Sequence, residues 1–470
     1  MFLKILAAIL AIIFAVCAVC GIYYAASRSC TLTVKVDTKS PLRDFYGWGT
    51  SDCWWADNID DEETRNQIAD VLFTDKGLNL DTYRYCLYGG YDPDNTVVTS
   101  QWRLGESFYY YNEQSGSYEY DWSKSENARL MLQAALDRGV DTVVLFANSP
   151  HYSMCINGRS SGADDGESSN ISPEKYQDYV DYFLTITQHF IDEGVPVKFI
   201  SPINEPQWGW GGESPAQEGC HYEKEQAVEL LKLFAKGIKE RNMDVKLCAL
   251  ESGNIGDTAK GYYEAMAADE DISSVLGVHS FHSYFNDTNA LKKSKFGKWI
   301  DKNVSVRSDM SEWCELPSAH DASDPATACI MARVISNDIS KLNVNAWCNW
   351  VAVNEIGVGD DGKDYSDGLL VADPNNTADY YTAYRLYGYM QFSKFVPAGS
   401  QVLDCGDGML TLTSSKTDEG TTYRELVNET AFKTPDGKIV VVVVNEGNSR
   451  NVKFSLDDYS NVSVYTTNSE

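Results

Sequence analysis

The sequence predicts an α/β protein, namely a (β/α)8 TIM barrel with an all-β sandwich domain at its side. Eight β-type runs alternate with amphipathic helical patterns over about 350 residues, which fits a closed barrel better than an open sheet. After about Phe395 the helical pattern stops, and short strand-like runs follow with turns such as Pro435-Asp436-Gly437 between them. These two observations together separate the barrel from the β domain.

Four segments follow from this division. We expect a signal peptide or N-terminal membrane anchor at 1–26 and a strand at 27–42 that joins the sandwich, then the barrel at 43–393 and the C-terminal β-sandwich at 394–470. The first segment carries Lys4 as its only charge, and its apolar run of about 22 residues is long enough to span a bilayer. No clean A-x-A cleavage site follows, so a retained anchor and a cleaved signal peptide both stay open. Either would place the rest of the chain outside the cytoplasm, in the medium or at the cell surface.

The repeated unit of the barrel is a strand followed by a helix. The third helix illustrates the pattern, because Ser172-Pro173 is a helix-start signal and the apolar residues after it recur at helical spacing. The predicted strands lie, in order, at 45–49, 80–88, 142–147, 197–200, 245–250, 278–281, 304–312 and 344–350.

Composition narrows the class of function. The net charge of −29 argues against a nucleic-acid partner and against an anionic membrane surface. It fits a soluble secreted enzyme acting on a neutral or weakly charged polymer. The 29 tyrosines and 11 tryptophans suit either sugar stacking or simple packing. Outside the first 26 residues no Cys-x-x-Cys pair occurs, so we expect no metal site and no cofactor, and we expect a monomer.

Two glutamates stand out by their position. Glu205 follows the apolar run 197–200, and Pro206 biases it away from the α region, so the strand ends there. Glu312 ends the seventh run and is followed by Trp313. The carboxyl ends of barrel strands are where a TIM barrel places its active site. Two carboxyl groups facing each other across that opening are the pair that glycoside hydrolysis requires.

Other polar and aromatic side chains surround this predicted pair. Arg84, at the end of the second strand, is a permanent cation that would keep Glu312 ionised. Asn204 is placed to bind a sugar hydroxyl, and Tyr284 to hold the nucleophile. For the aromatic residues, core packing stays an alternative. Further predicted substrate contacts are Trp48, Trp55, Asn148, His151, Trp208, His282 and Trp347.

Four blocks of the sequence match a known family in order: Gly47-Trp48-Gly49-Thr50-Ser51, Asn148-Ser149-Pro150, Ser201-Pro202-Ile203-Asn204-Glu205-Pro206-Gln207-Trp208 and Gln391-Phe392-Ser393-Lys394-Phe395. Through them the sequence resembles glycoside hydrolase family 30 of clan A over nearly the whole chain after the N-terminal segment. The resemblance implies a barrel with a β-sandwich fed from both termini and a retaining double displacement. It implies Glu205 as acid/base and Glu312 as nucleophile, with Asn204 and Arg84 in support. The loop 150–154 departs from the family pattern, which leaves one wall of the sugar site undefined.

The polymer is the open question at this level. The block 217–222 resembles the endo-β-1,6-galactanase branch of the family, which acts on arabinogalactan-type side chains. The stretch 351–379 contains no Arg and only Lys363 among many acids, so a glucuronate-bearing xylan is disfavoured. The alternatives are a β-1,6-glucanase, a xylanase or a glucosylceramidase-like β-glycosidase. A non-catalytic surface protein that binds carbohydrate is the alternative from another class.

Overall fold

The computed structural model describes residues 17–18, 31–316, 320–406, 412–417, 420–447, 449–456 and 461–467. The predicted signal peptide or anchor at 1–26 therefore lies almost wholly outside the described residues. Within the described ranges, no helix is both long enough and apolar enough to cross a membrane.

Eight parallel strands close into a barrel, which confirms the predicted fold class. The first strand pairs with the eighth, with Trp48 opposite Trp347, so the sheet has no free edge. In chain order the first to eighth barrel strands are Gly47–Ser51, Thr82–Cys86, Thr142–Phe146, Val197–Ser201, Lys246–Ser252, Leu276–His282, Arg307–Glu312 and Ala346–Val351.

Helices surround the barrel and bury their apolar stripes against it. Tyr176–Asp192 shows why they form, since Tyr179, Val180 and Phe183 recur at helical spacing and are all buried. Asp61 caps Glu62–Phe73 by accepting a hydrogen bond from the Thr64 amide. The α-helices are Trp55–Asn58, Glu62–Phe73, Glu126–Leu136, Tyr176–Asp192, Lys224–Glu240, Asp257–Ala267, Glu270–Val275, Ala290–Asn303, Ala326–Lys341 and Tyr384–Ser393, with short 3₁₀ turns at Gln101–Arg103, Tyr152–Met154 and Pro173–Lys175.

A β domain lies beside the barrel, as the sequence predicts, and it takes strands from both ends of the chain. Leu32–Val36 pairs in parallel with Val452–Ser455 and antiparallel with Cys405–Gly406. A second sheet has the order Arg43–Phe45, Ser400–Leu403, Val427–Lys433, Ile439–Asn445, and a hairpin joins Leu412–Thr417 to Gly420–Glu425.

Two small sheets are inserted after barrel strands. A hairpin of Tyr109–Asn112 and Ser117–Tyr120 follows the second strand. Val353–Glu355, Leu370–Asp373 and Asn376–Thr382 form a three-stranded sheet after the eighth. Both insertions extend from the carboxyl ends of the strands, so they build up the same end of the barrel as the predicted site.

Trp48 joins the two domains. Its ring is fully buried and packs on Phe45, Phe432, Tyr389 and Phe392, while its indole N–H donates to the Val396 carbonyl at 2.7 Å. The residue lies in the amino-terminal half of the first strand, away from the carboxyl ends. The prediction that Trp48 contacts substrate is therefore replaced by a structural role between barrel and sandwich.

Candidate active site

Five ionisable side chains meet at the carboxyl ends of the barrel strands. Arg84 comes from the second strand, Glu251 from the fifth, and His282 and Glu312 end the sixth and seventh. Glu205 follows the fourth strand by four residues. All five are buried. Strands far apart in sequence thus bring three carboxyl groups and two basic side chains into one buried cluster.

Glu312 is held by donors on both of its oxygens. Arg84 Nη1 donates to Oε2 at 3.1 Å, and the Tyr284 hydroxyl donates to Oε1 at 3.1 Å. Burial raises the pKa of Glu312, and the positive charges of His282 and Arg84 oppose this, while Glu205 and Glu251 add to it. The net shift of the Glu312 pKa is upward, and the donors Arg84 and Tyr284 favour the ionised form against it.

Glu205 lies beside Glu312 in a strained backbone. Its φ of 46° is in the left-handed region, and its amide donates to the Glu251 carbonyl at 2.9 Å. Its Oε1 accepts from His282 Nδ1 at 2.9 Å. One oxygen of Glu205 and one of Glu312 lie within 4.8 Å of each other. That separation is close to the roughly 5 Å gap of retaining glycosidases and shorter than the gap that admits a water between the carboxyl groups.

Glu251, near the end of the fifth barrel strand, completes the cluster. It accepts hydrogen bonds from Ser201, from Ser311 and from His282 Nε2, the last at 3.1 Å. Burial works against its ionisation, but the Arg84 charge and the hydrogen bond from His282 outweigh burial and lower the pKa of Glu251 to about 2. Glu251 is therefore a permanent anion at the base of the site.

His282 links the carboxyl groups as a cation. Its two ring nitrogens lie 2.9 and 3.1 Å from oxygens of Glu205 and Glu251, and a protonated ring donates from both nitrogens. Burial alone would lower the pKa of His282, but the charge of Glu312 and the hydrogen bonds to Glu205 and Glu251 raise it to about 10. The predicted sugar contact is thus a residue that orients Glu205.

The charges of the cluster balance when one proton is added. Arg84 and His282 supply two positive charges, and three ionised carboxylates would leave a net charge of −1. Glu251 stays ionised, so the added proton belongs to the pair formed by Glu205 and Glu312. The arrangement is two adjacent carboxyl groups that share one proton and one negative charge.

Amide groups line the cleft beside the carboxyl pair. Asn148 and Asn204 are buried, and within the described part of the chain their Oδ1 atoms have no hydrogen-bond partner. Both amide atoms of Gln207 are likewise without a partner there. Because buried polar atoms are normally paired, these oxygens and nitrogens suit sugar hydroxyls. The roles of Asn148 and Asn204 in substrate binding stay predictions.

Three other predicted contacts lie in the core. Trp55, Trp347 and His151 are fully buried. Trp55 Nε1 donates to the Ser51 carbonyl, and Trp347 Nε1 donates to Asp338. His151 Nε2 donates to the Tyr109 carbonyl, and its Nδ1 accepts from the Ser153 amide, so neither ring nitrogen is left for a sugar. These rings pack and orient the loops instead of facing the cleft.

Two other buried tryptophans pack against each other near the carboxyl ends of the first and eighth strands. Trp54 follows the first strand and Trp350 lies near the end of the eighth, with ring centroids 5.2 Å apart at 90°. The Arg103 guanidinium lies 4.5 Å above the Trp54 ring. Trp54 has φ 72°, a conformation that bulky residues rarely adopt and that no sequence pattern reveals.

Glu218 connects three loops, those after the second, third and fourth barrel strands, by hydrogen bonds. Its Oε2 accepts from the Gly89 amide at 3.2 Å, and its Oε1 lies 3.1 Å from the Ser160 hydroxyl. Ser160 has a single hydroxyl proton, and the Gly90 carbonyl lies only 2.7 Å away as its acceptor. A protonated Glu218 would donate to the Ser160 oxygen and leave the Ser160 proton for the Gly90 carbonyl. Burial raises the pKa of Glu218 from 4.5 to about 8, in agreement with this geometry.

This proton predicts a pH-dependent stability. Glu218 ionises more readily in the unfolded chain than in the fold, so its stabilising contribution is complete below pH 4.5 and is lost as the pH rises to about 8. The free energy of unfolding should fall across that window by up to about 1.4 kcal/mol per pH unit from this group. We expect Glu218→Gln to remove that part of the slope, measured by denaturant unfolding at several pH values. Glu213→Gln, an exposed neighbour, should keep the slope; equal slopes in both variants would contradict the assignment.

Comparisons with known proteins agree on one family. The model of O-glycosyl hydrolase family 30 matches residues 31–371, and that of the family 30 β-sandwich domain matches residues 413–469. An endo-β-1,6-galactanase of Hypocrea rufa is 24% identical over 448 residues, covering 90% of this chain and 83% of that protein. An exo-β-1,6-galactobiohydrolase of Bifidobacterium longum is 22% identical over 442 residues, covering 72% of this chain and 28% of that protein.

Solved structures of low identity share the fold. A conserved exported protein from Bacteroides fragilis has a TM-score of 0.74 at 21% identity, covering 91% of this chain and 92% of that one. An endo-β-1,6-glucanase has a TM-score of 0.65 at 16% identity, with 88% and 87% of the two chains covered. At these identities the likeness extends to the architecture alone.

Proposed function

Because the chain belongs to glycoside hydrolase family 30, we propose that it cleaves β-1,6-linked galactan with retention of anomeric configuration. The observation that carries the proposal is the close pair of Glu205 and Glu312, in which Glu312 accepts hydrogen bonds from Arg84 and Tyr284. We assign Glu205 the role of acid and Glu312 the role of nucleophile. The chain is an O-glycosyl hydrolase by family. The choice of galactan and the internal mode of cleavage are the parts that we add.

The first chemical step breaks the glycosidic bond. Glu312 attacks the anomeric carbon, and the bond from that carbon to the leaving oxygen breaks while Glu205 transfers its proton to that oxygen. His282 donates to Glu205 throughout, so the carboxylate left behind by proton transfer is stabilised without a change of partner. Arg84 keeps Glu312 in position for attack.

The second step releases the sugar. Glu205, now a carboxylate, removes a proton from water, and the water oxygen attacks the anomeric carbon of the ester with Glu312. The ester bond breaks and Glu312 leaves as a carboxylate, which Arg84 and Tyr284 again stabilise. Two displacements at one carbon restore the β configuration. Glu251 holds His282 charged through both steps, since its own charge does not change.

The substrate proposal rests on relatives and on charge. The two relatives described above are named an endo-β-1,6-galactanase and an exo-β-1,6-galactobiohydrolase, and the match to the first covers 90% of this chain. The loop after the eighth strand supports an uncharged substrate, because Asp360, Asp361, Asp364 and Asp367 lie there with Lys363 alone as a base. A β-1,6-glucan differs from the galactan in sugar stereochemistry and not in charge, so it is the main alternative.

Product analysis of the full-length chain tests the proposal. We expect short galacto-oligosaccharides from arabinogalactan whose arabinose has been removed, and no release from β-1,6-glucan, xylan, glucuronoxylan or glucosylceramide. Oligosaccharides of several lengths at early times indicate internal cleavage, whereas disaccharide alone indicates release from chain ends. Cleavage of another polymer would move the substrate but keep the hydrolase. Binding of galactan without cleavage of any polymer would instead support a carbohydrate-binding protein.

A further inference from the structure

We propose that Phe285 and Trp208 form the subsite for the leaving-group sugar, the part of the substrate that departs when Glu205 donates its proton. The proposal deepens the function given above and rests on it, since the direction of the leaving group follows from Glu205 being the acid. Phe285 has no other role in the site that the sequence or the comparisons assign.

The two rings flank the acid. The Trp208 amide donates to the Glu205 carbonyl at 3.1 Å. The Trp208 indole nitrogen and Glu205 Oε1 also come together above Gly253, where an added Cβ would lie 2.1 Å from the first and 2.6 Å from the second. The Phe285 ring meets the Trp208 ring edge-on at 6.0 Å and 86°. An acid protonates the oxygen between the two sugars, so a surface beside that acid contacts the sugar that leaves.

Phe285 is held outward by the backbone. It is 54% exposed, and its φ of 60° lies in the left-handed region that bulky side chains rarely adopt. The residues before it are fixed by the site, since His282 bonds to Glu205 and Tyr284 to Glu312. Strained residues of this kind occur at ligand sites, and Glu205 and Glu251 at the same end of the barrel share the conformation.

The surface fits the apolar face of a sugar. An exposed phenyl ring next to a partly exposed indole offers a flat apolar area with one N–H at its edge. A pyranose ring has the matching chemistry, with C–H groups on its face and hydroxyls at its rim. Neither Trp208 nor Phe285 carries a charge, which suits a neutral galactosyl residue. A lipid chain is the other apolar leaving group, and the experiment separates the two.

The test compares substrates that differ only in the leaving group. A β-1,6-linked galacto-oligosaccharide places a sugar on the rings, whereas a galactosyl or galactobiosyl fluoride loses fluoride and places nothing there. In Phe285→Ala and Trp208→Ala we expect kcat/KM for the oligosaccharide to fall about 10- to 100-fold, with fluoride turnover changed by less than about threefold. Phe285→Gly separates the effect of the ring from the effect of the strained backbone, because it removes the ring and also relieves the strained φ. If the ring is what binds the sugar, Phe285→Gly should lose as much activity as Phe285→Ala.

Ile156→Ala, at another exposed apolar side chain, is the control and should change neither kcat/KM for the oligosaccharide nor turnover of the fluoride.

A second readout uses acceptor sugars. With the fluoride donor, an acceptor hydroxyl should attack the anomeric carbon of the Glu312 ester in place of water, with Glu205 taking the proton. Added galacto-oligosaccharide should therefore yield transfer products in the wild type and about tenfold fewer in Phe285→Ala. Equal losses with both donors, or none with either, would overturn the subsite. Loss confined to lipid glycosides would assign the rings to a lipid. Failure of the wild type to turn over any fluoride would instead contradict the proposed function.

Discussion

Replacing Glu312 by glutamine is expected to lower kcat by at least about 10⁴-fold while substrate binding is retained. The amide keeps the shape, its oxygen can accept from Arg84 and its NH2 group can donate to the Tyr284 hydroxyl oxygen, but it is not a nucleophile. Turnover is measured on galacto-oligosaccharide and binding by calorimetry. Glu213→Gln, an exposed glutamate on the loop after the fourth strand, is the matched control and should keep full activity.

Chemical rescue makes this prediction specific to the nucleophile. In Glu312→Gly, azide entering the vacated space attacks the anomeric carbon from the face that Glu312 used and displaces an activated leaving group such as dinitrophenolate. The product should be the α-glycosyl azide, because only one inversion takes place. Rescue that gives the β-azide would assign Glu312 to the acid/base role instead.

Replacing Glu205 by alanine is the second large effect, and its size should depend on the leaving group. A poor leaving group such as a sugar needs the proton, so kcat/KM for galacto-oligosaccharide should fall by about 10²- to 10⁴-fold. A dinitrophenyl glycoside leaves without protonation, so the first step should be almost unaffected. The ester with Glu312 should then accumulate, because no base activates water.

Azide again identifies the role of Glu205. An anion needs no general base, so azide should restore turnover of the dinitrophenyl glycoside and give the β-glycosyl azide after two inversions. A loss in Glu205→Ala that is equal for good and poor leaving groups would contradict the acid role. It would point to damage of the site through the contact with His282.

The barrel can be predicted from the sequence because the signals for its strands and helices are local. Alternation of strands with helices is visible in apolar periodicity, and the chemistry of a barrel lies at strand ends, so Glu205 and Glu312 can be located without coordinates. Arg84 and Tyr284 follow by the same argument. The structure brings these four side chains together, with Arg84 and Tyr284 both donating to Glu312, while their roles in catalysis stay predictions.

The errors among the aromatic residues have a common cause. Neighbouring residues in a strand point to opposite sides, and which side faces the centre depends on register, which the sequence does not state. Trp48 and Trp347 pair across the first and eighth strands and lie in packed surroundings, while Trp54 and Trp350 lie at the carboxyl ends. Left-handed φ values at Trp54 and Phe285 change the direction of each ring. Residue propensities do not predict these φ values.

The hydrogen-bond network around Glu251 could not be predicted from the sequence for a different reason. Its contacts join positions 31 to 60 residues apart, from Ser201, His282 and Ser311. Composition and spacing do not reveal that a histidine faces carboxylates on both ring nitrogens. Only the folded geometry shows that His282 is a cation and that Glu251 keeps it charged.

The most direct test of the account is to trap the covalent intermediate on the wild-type protein. A 2-deoxy-2-fluoro galactoside or galactobioside with a dinitrophenyl leaving group reacts in the first step, but its fluorine slows the second. We expect the intact mass to rise by one fluorosugar, and peptide sequencing to place the label on Glu312. Label on Glu205 or Glu251, or no label from a protein that turns over galactan with inverted products, would contradict the assignment of Glu312 as nucleophile.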